Sequence, residues 1–429
     1  MNKHYVRSRL GTRNRSHLAI ATAAIALGLT SCHDDSTPNL PPIIPVPNSI
    51  VVKDVGNGAP DLLVATTADE GAGLNPGYAD VIMNTAGSPG TFHTGVHYST
   101  TGTNPSSIAV ADLTGSGGTD MVIANFGNGS VSVFVHGAGD TFSAAVDVPT
   151  GGQPNQVVSC DPHAKAPAVP CDLMANGKPS LVLADMSGNV IVLLVDPGNP
   201  PQFHAPITLA TGLTTPSVWV ADLNGDGAPD IVAATSDSAG NNGAVYVFYQ
   251  DPNNRGTFNK AGPFPAGAQP QSVKIADVNG DGLPDLIVAD LGPGTDGMGS
   301  AGVSVLLQGP AGTFQAPATY ATPGQSIDVA VDDLNGDGKP DLVVASLLPV
   351  GTGSVSVLLQ DPDPAHAGQF LAATNYPALG QPLSVAIADL NGDGHKDIAI
   401  ADGPSAGVFF QDAKAASPGT FLPVEQVGF

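Results

Sequence analysis

The sequence predicts an all-β protein, a seven-bladed β-propeller of four-stranded antiparallel blades. Three observations predict it. The first is composition. Of 429 residues, 53 are Gly and 39 are Pro, and only Glu70 and Glu425 among the 38 acidic residues are Glu. Helix interiors favour Glu and Lys and exclude Gly and Pro, so short strands joined by turns suit this chain better. The second is a nine-residue, Asp-rich string that returns at nearly constant spacing. The third is what flanks each string: short apolar runs alternating with period two, the pattern of half-buried strands.

The N-terminus reads as an address. Residues 1–31 carry five basic residues and no acid, and Leu18 to Leu29 is an apolar run of 12. A membrane-spanning helix needs roughly 20 apolar residues, so this run is a secretory signal, not a span. It ends Leu29-Thr30-Ser31-Cys32, which resembles a bacterial lipobox and implies a lipid on Cys32; ordinary signal cleavage is the alternative. Residues 32–46 are Pro-rich and form an extended tether. From residue 32 onward there are 9 basic and 38 acidic residues, a net of −29. A chain so acidic is not expected to bind nucleic acid through phosphate neutralisation, and it repels itself or recruits cations.

The repeat fills 47–429. Its clearest copies are Asp222–Asp230, Asp277–Asp285, Asp333–Asp341 and Asp389–Asp397, spaced by 55, 56 and 56 residues. Weaker copies are Asp112–Asp120, the shorter Asp54–Asp61, and a third read as opening at Asp161 and resuming at Asn176–Ser180. Before each loop stands an alternating run such as Pro382–Ala388, and after it a β-branched run such as Leu342–Ala345. A third run and a Phe-led fourth, such as Phe370–Tyr376, complete a unit of about 55 residues, one blade of a radial array. The first unit begins near Pro47 and the last ends at Phe421–Phe429, so every blade is complete in sequence. Closure is then expected without an exchanged strand.

Each strong loop puts oxygen ligands at positions 1, 3, 5 and 9 and a backbone carbonyl at 7. These are Asp222, Asn224, Asp226, Ala228 and Asp230; Asp277, Asn279, Asp281, Leu283 and Asp285; Asp333, Asn335, Asp337, Lys339 and Asp341; and Asp389, Asn391, Asp393, His395 and Asp397. Calcium takes six to eight oxygens in flexible geometry, whereas magnesium demands a strict octahedron, so about four Ca²⁺ sites are expected. An EF-hand would need Glu at position 12, but Ala233, Val288, Val344 and Ile400 stand there. An Asx-turn hairpin without metal would explain the glycines but not the crowded carboxylates. The first two loops offer fewer ligands, and the third, where Ser180 replaces the closing Asp, is expected to hold no metal. Cys160 and Cys171 flank an insertion there. In an exported protein they are expected to form a disulfide, the alternative being two free thiols.

The DLNGDGxPDLVVA unit resembles FG-GAP or VCBS-type repeats, and seven copies resemble the N-terminal propeller of integrin alpha chains. The resemblance implies calcium loops between the first and second strands, concentrated in the later blades. It does not imply a ligand, because the family spans adhesion modules, lectins and parts of polysaccharide-active enzymes.

No HExxH, GxSxG, P-loop or helix-opening GxGxxG occurs. His93 and His97, four apart, would share a strand face as a solvated pair or a metal pair. Trp219, Tyr246, Phe248 and Tyr249 read as packing, with sugar stacking the alternative for Trp219. The second-to-third-strand loops, Thr66–Asp80, Thr235–Gly243, Leu291–Gly302 and Leu347–Gly353, vary most and suit ligand binding. The expectation is a non-catalytic, calcium-stabilised, monomeric lipoprotein of the outer membrane or cell surface, otherwise periplasmic or secreted. It would touch the membrane only through its anchor and bind glycan or protein. A lyase-like polysaccharide enzyme and an envelope assembly scaffold are the alternatives.

Overall fold

A computed structural model describes residues 45–68, 76–162, 171–237, 243–292, 301–403, 405–415 and 418–428. The signal segment, Cys32 and most of the tether lie outside them, as do large parts of the first three variable loops. Where those loops are described, their ends belong to strands: Thr66, Thr67 and Ala68 close one strand, and Pro76 opens the next.

Seven four-stranded antiparallel blades follow one another along the chain. Their first strands are Pro45–Lys53, Pro105–Ala111, Pro154–Cys160, Thr214–Ala221, Pro270–Ala276, Gln325–Asp332 and Pro382–Ala388. In blade 5, Pro270–Ala276 pairs with Asp285–Asp290, that with Gly302–Leu306, and that with Ala318–Ala321. The expected Phe leads the fourth strand in blade 4, where Phe258 opens Phe258–Pro265, but in blades 1, 2, 6 and 7 it makes its own bridge to the end of the third, as Gln360 to Phe370 and Gln411 to Phe421. The fourth strand follows, as at Thr374–Pro377. Helical geometry among the described residues is confined to two short 3₁₀ turns, Pro310–Gly312 and Pro364–His366.

Burial follows position in the blade. Second strands such as Asp285–Asp290 are buried throughout, whereas fourth strands such as Thr374–Pro377 are largely exposed. The apolar residues gather in seven clusters, one at each junction between neighbouring blades. One of them joins blade 7 to blade 1: Ala399, Ala401 and Val408 pack with Leu62, Val64 and Ile82.

A ring of polar side chains on the first strands reinforces those junctions. Ser49, Ser107, Gln156 and Ser217 each accept the backbone N–H of a residue in the next blade: Ile108, Val157, Val218 and Val273, at 2.7–3.4 Å. Ser272 donates to Asp328 at 2.7 Å, and Asp328 also accepts from Ser384 Oγ (3.0 Å) and Val385 N (3.1 Å). Ser384 Oγ in turn accepts Ile50 N at 3.4 Å. The circle closes through packing and these bonds. Pro45–Lys53 sits in the first sheet and Glu425–Val427 in the last, and among the described residues no strand is exchanged.

Candidate metal loops

All four strong loops fold alike. In blade 4, Asp222 Oδ1 accepts Gly225 N (2.8 Å) and Asp226 N (3.2 Å), and its Oδ2 accepts Gly227 N (2.8 Å). Asn224 Oδ1 accepts Asp226 N, and Asp226 Oδ1 accepts Ala228 N. Gly225 and Gly227 stand at φ +73° and +84°, a region open to Gly without a Cβ clash. The same bonds recur around Asp277, Asn279 and Asp281, around Asp333, Asn335 and Asp337, and around Asp389, Asn391 and Asp393.

Position 7 tolerates varied side chains. Ala228 is buried, Leu283 is half-buried and His395 exposed, and Lys339 Nζ bonds the carbonyls of Asp361 and Pro362 at 3.0 and 3.1 Å. The closing Asp230, Asp285, Asp341 and Asp397 have no solvent exposure. Each accepts at least two backbone N–H groups, as Asp230 does from Leu223 (3.0 Å) and Gln250 (2.8 Å). Burial, aided by the charge of loop partners such as Asp226 and Asp222, pushes each carboxyl up to about 6.

Among the described residues, no three His, Cys, Asp or Glu side chains converge on one point. In each strong loop the first carboxylate faces backbone N–H groups, and the Asn amide contacts the fifth-position Asp, at 3.0 Å in blade 4. The donor chemistry nonetheless suits a hard cation: three carboxylates, an amide oxygen and a carbonyl on one preformed turn, with the carboxylates opposing one another's charge.

The weaker loops differ in kind. In blade 2, Asp112 accepts Ser116 N and Gly117 N, and Asp120 closes the turn onto Leu113 N. In blade 1, Asn57 Nδ2 bonds the closing Asp61 at 2.9 Å, an amide standing beside a buried carboxylate. The third loop corrects the sequence expectation. It opens at Asp172, not Asp161: Asp172 accepts Asn176 N (3.1 Å) and Gly177 N (2.7 Å). Asp161 instead accepts Asp112 N of blade 2. The insertion therefore precedes the loop, and Cys160 and Cys171 are disulfide-bonded across it with Cα atoms 4.8 Å apart.

The two histidines are not a strand pair. His93 precedes the fourth strand, which starts at Val96, and its Nε2 contacts Thr85 Oγ1 at 3.1 Å. His97 meets Asp80 across the sheet. Burial raises the Asp80 carboxyl. Trp219 packs at the blade 4–5 junction, and Lys274 Nζ lies 4.4 Å from the centre of its ring and 3.7 Å from Asp328. Phe248 is buried at the blade 3–4 junction with Tyr246 against it, and Tyr249 packs at the next junction.

Fold and loops together define a propeller built on Asp-rich hairpin turns. The chain carries FG-GAP-like repeats, matched at residues 172–233, 232–288 and 333–400. It is 30% identical over 203 residues to integrin alpha-V of Gallus gallus, a match covering 43% of this chain and 19% of that protein. The chain thus spans about a fifth of its curated relative. Kuenenia stuttgartiensis hydrazine synthase superposes with a TM-score of 0.54 at 12% identity, covering 90% of this chain and all of that one. The periplasmic gluconolactonase PpgL of Pseudomonas aeruginosa gives 0.52 at 16% identity, covering 78% of this chain and 86% of its own. At such identities these structures share the fold alone.

Proposed function

We propose that this chain is an exported recognition module: a calcium-stabilised propeller that binds glycan or protein and performs no catalysis of its own. The observation that carries the reading is the fourfold recurrence of one turn, with three Asp, one Asn and a fully buried closing carboxylate in each copy. Asp222, Asn224, Asp226, the Ala228 carbonyl and Asp230, with their counterparts, would hold the ion. Bound calcium supplies positive charge among carboxylates that otherwise repel one another. The protein's part is to fix the turn beforehand through backbone N–H groups, so that little beyond the ligating side chains and their bonded partners has to move.

Export is supported by the signal-like N-terminus and by the Cys160–Cys171 disulfide, since disulfides persist in oxidising compartments. Lipidation at Cys32 would tie the module to a membrane. Recognition is supported by the architecture, a rigid ring presenting loops of unequal length. A panel of glycans and envelope proteins, assayed in parallel for retention and for product release, tests the reading. Retention without release is expected. Release of oligosaccharide would replace it with a lyase-like activity, and a stable envelope complex without glycan retention would make the chain a scaffold.

A further inference from the structure

The residue at the end of the third strand does two jobs. Its backbone N–H bonds the closing Asp of its own blade: Asn84 to Asp61, His136 to Asp120, Gln308 to Asp285, Gln360 to Asp341 and Gln411 to Asp397, at 2.7–2.8 Å. Its side chain crosses to the preceding blade and bonds the carbonyl of that loop's second residue. Gln308 reaches Leu223 O (2.8 Å), Gln360 reaches Val278 O, Gln411 reaches Leu334 O (2.7 Å), Asn84 reaches Leu390 O (2.7 Å) and His136 reaches Val55 O (2.8 Å). That second residue donates its own N–H to the closing Asp of its loop, as Leu223 does to Asp230, Val278 to Asp285, Leu334 to Asp341 and Leu390 to Asp397.

A continuous path results. It runs Asp230, Leu223, Gln308, Asp285, Val278, Gln360, Asp341, Leu334, Gln411, Asp397, Leu390, Asn84, Asp61, Val55, His136 and Asp120. It visits blades 4, 5, 6, 7, 1 and 2 and stops at blade 3. There Ser180 replaces the closing Asp and Val195 stands at the third-strand end, while Gln250 of blade 4 accepts from Arg255 instead.

We propose that Gln308, Gln360, Gln411 and Asn84 are positioning residues that link the loops of successive blades, so that the strong loops take up divalent cations as one coupled set. The inference rests on the calcium reading above. A cation that moves a closing carboxylate must also move the second residue's N–H. The carbonyl of that residue is held by the next blade, whose own backbone N–H grips the next carboxylate. Buried hydrogen bonds with no water to replace them transmit such shifts instead of absorbing them.

Gln360→Met keeps length and volume while removing the bond between loops 5 and 6. Gln156→Met makes the same change at an inter-blade glutamine on the first-strand ring, where Oε1 accepts Val218 N. The full chain, stripped with EDTA and dialysed, is titrated with CaCl₂ by calorimetry. Removing an outer partner of a metal site typically costs about 10–100-fold in affinity. Gln360→Met should therefore weaken uptake at two of the four strong loops by about tenfold, and Gln156→Met should stay within about twofold of wild type. Gln411→Met, which cuts the link between loops 6 and 7, repeats the test if Gln360→Met does not fold. Equal calcium binding by wild type and both linking variants, or an equal loss in Gln156→Met, overturns the coupling and leaves the calcium reading standing. Wild type that takes up no calcium overturns both.

Discussion

Asp290 closes the second strand of blade 5 with no exposure, and its Oδ2 accepts the Ser304 hydroxyl at 2.7 Å. Burial pushes its carboxyl from 3.8 up to about 7. The folded chain therefore holds that proton more tightly than the unfolded chain. The resulting stability is complete below about pH 4 and is lost as pH rises towards 7. Asp290→Asn keeps a neutral, hydrogen-bonding side chain and should remove that slope. In urea denaturation at pH 4.5 and 7.5, the variant should gain on wild type by on the order of a few kcal/mol at the higher pH. An offset that is the same at both pH values would refute it. Asp328 shows the opposite economy. It accepts from Ser272, Val329, Ser384 and Val385 and lies beside Lys274. Asp328→Ala strands all of these and should cost about 1–3 kcal/mol, the range for leaving partners of a charged hydrogen-bond acceptor unpaired at a partly buried site. A midpoint shift equivalent to under 1 kcal/mol in the same denaturation assay would contradict that. Neither role was legible in the sequence, because a lone Asp on a strand acquires its partners only when distant blades meet.

At the scale of the element, the third loop shows where sequence reading stopped. Its fourth position is Ala175, at φ +51°, where the strong loops and Asp112–Asp120 have Gly. With that glycine and the closing Asp both gone, the string DLMANGKPS no longer resembled its siblings, although Asp172 keeps the first-position role. What holds the loop is local: Asp172 bonds the turn, and the disulfide ties its entrance to the first strand. Cys160→Ser with Cys171→Ser should lower stability by roughly 2–3 kcal/mol in the chain-entropy picture for so short a loop. A melting curve unchanged from wild type would show that the crosslink adds nothing to the stability of the fold. The paired third-strand residues were equally hidden. Gln308, Gln360 and Gln411 recur at matching places, but their acceptors lie 77–85 residues away in sequence.

For the whole molecule, much was legible. Four near-identical strings at spacings of 55 and 56 gave the blade length, and four short runs in each unit gave the strand count. Radial packing then follows, because each sheet has two apolar faces and only a neighbour on either side can cover both. Chelation provides the corresponding test. EDTA should lower the melting temperature by several degrees, because ions bound only by the folded form stabilise it by mass action. Proteolysis in EDTA should cut first within 214–428. If EDTA leaves the melting temperature unchanged, the loops are structural turns and nothing more.

The seam between blades 7 and 1 has the apolar cluster and first-strand hydrogen bond found at the other six, and the linking side chain found at four of them. Nothing topological marks it as the place where the polypeptide must start. A circular permutant that joins residue 428 to residue 45 through a short linker and opens between Ala321 and Gln325 should therefore assemble the same wheel. By the same reasoning, a duplicated or deleted unit leaves every remaining unit intact. Such a chain can change its number of modules by recombination without first inventing a new way to close.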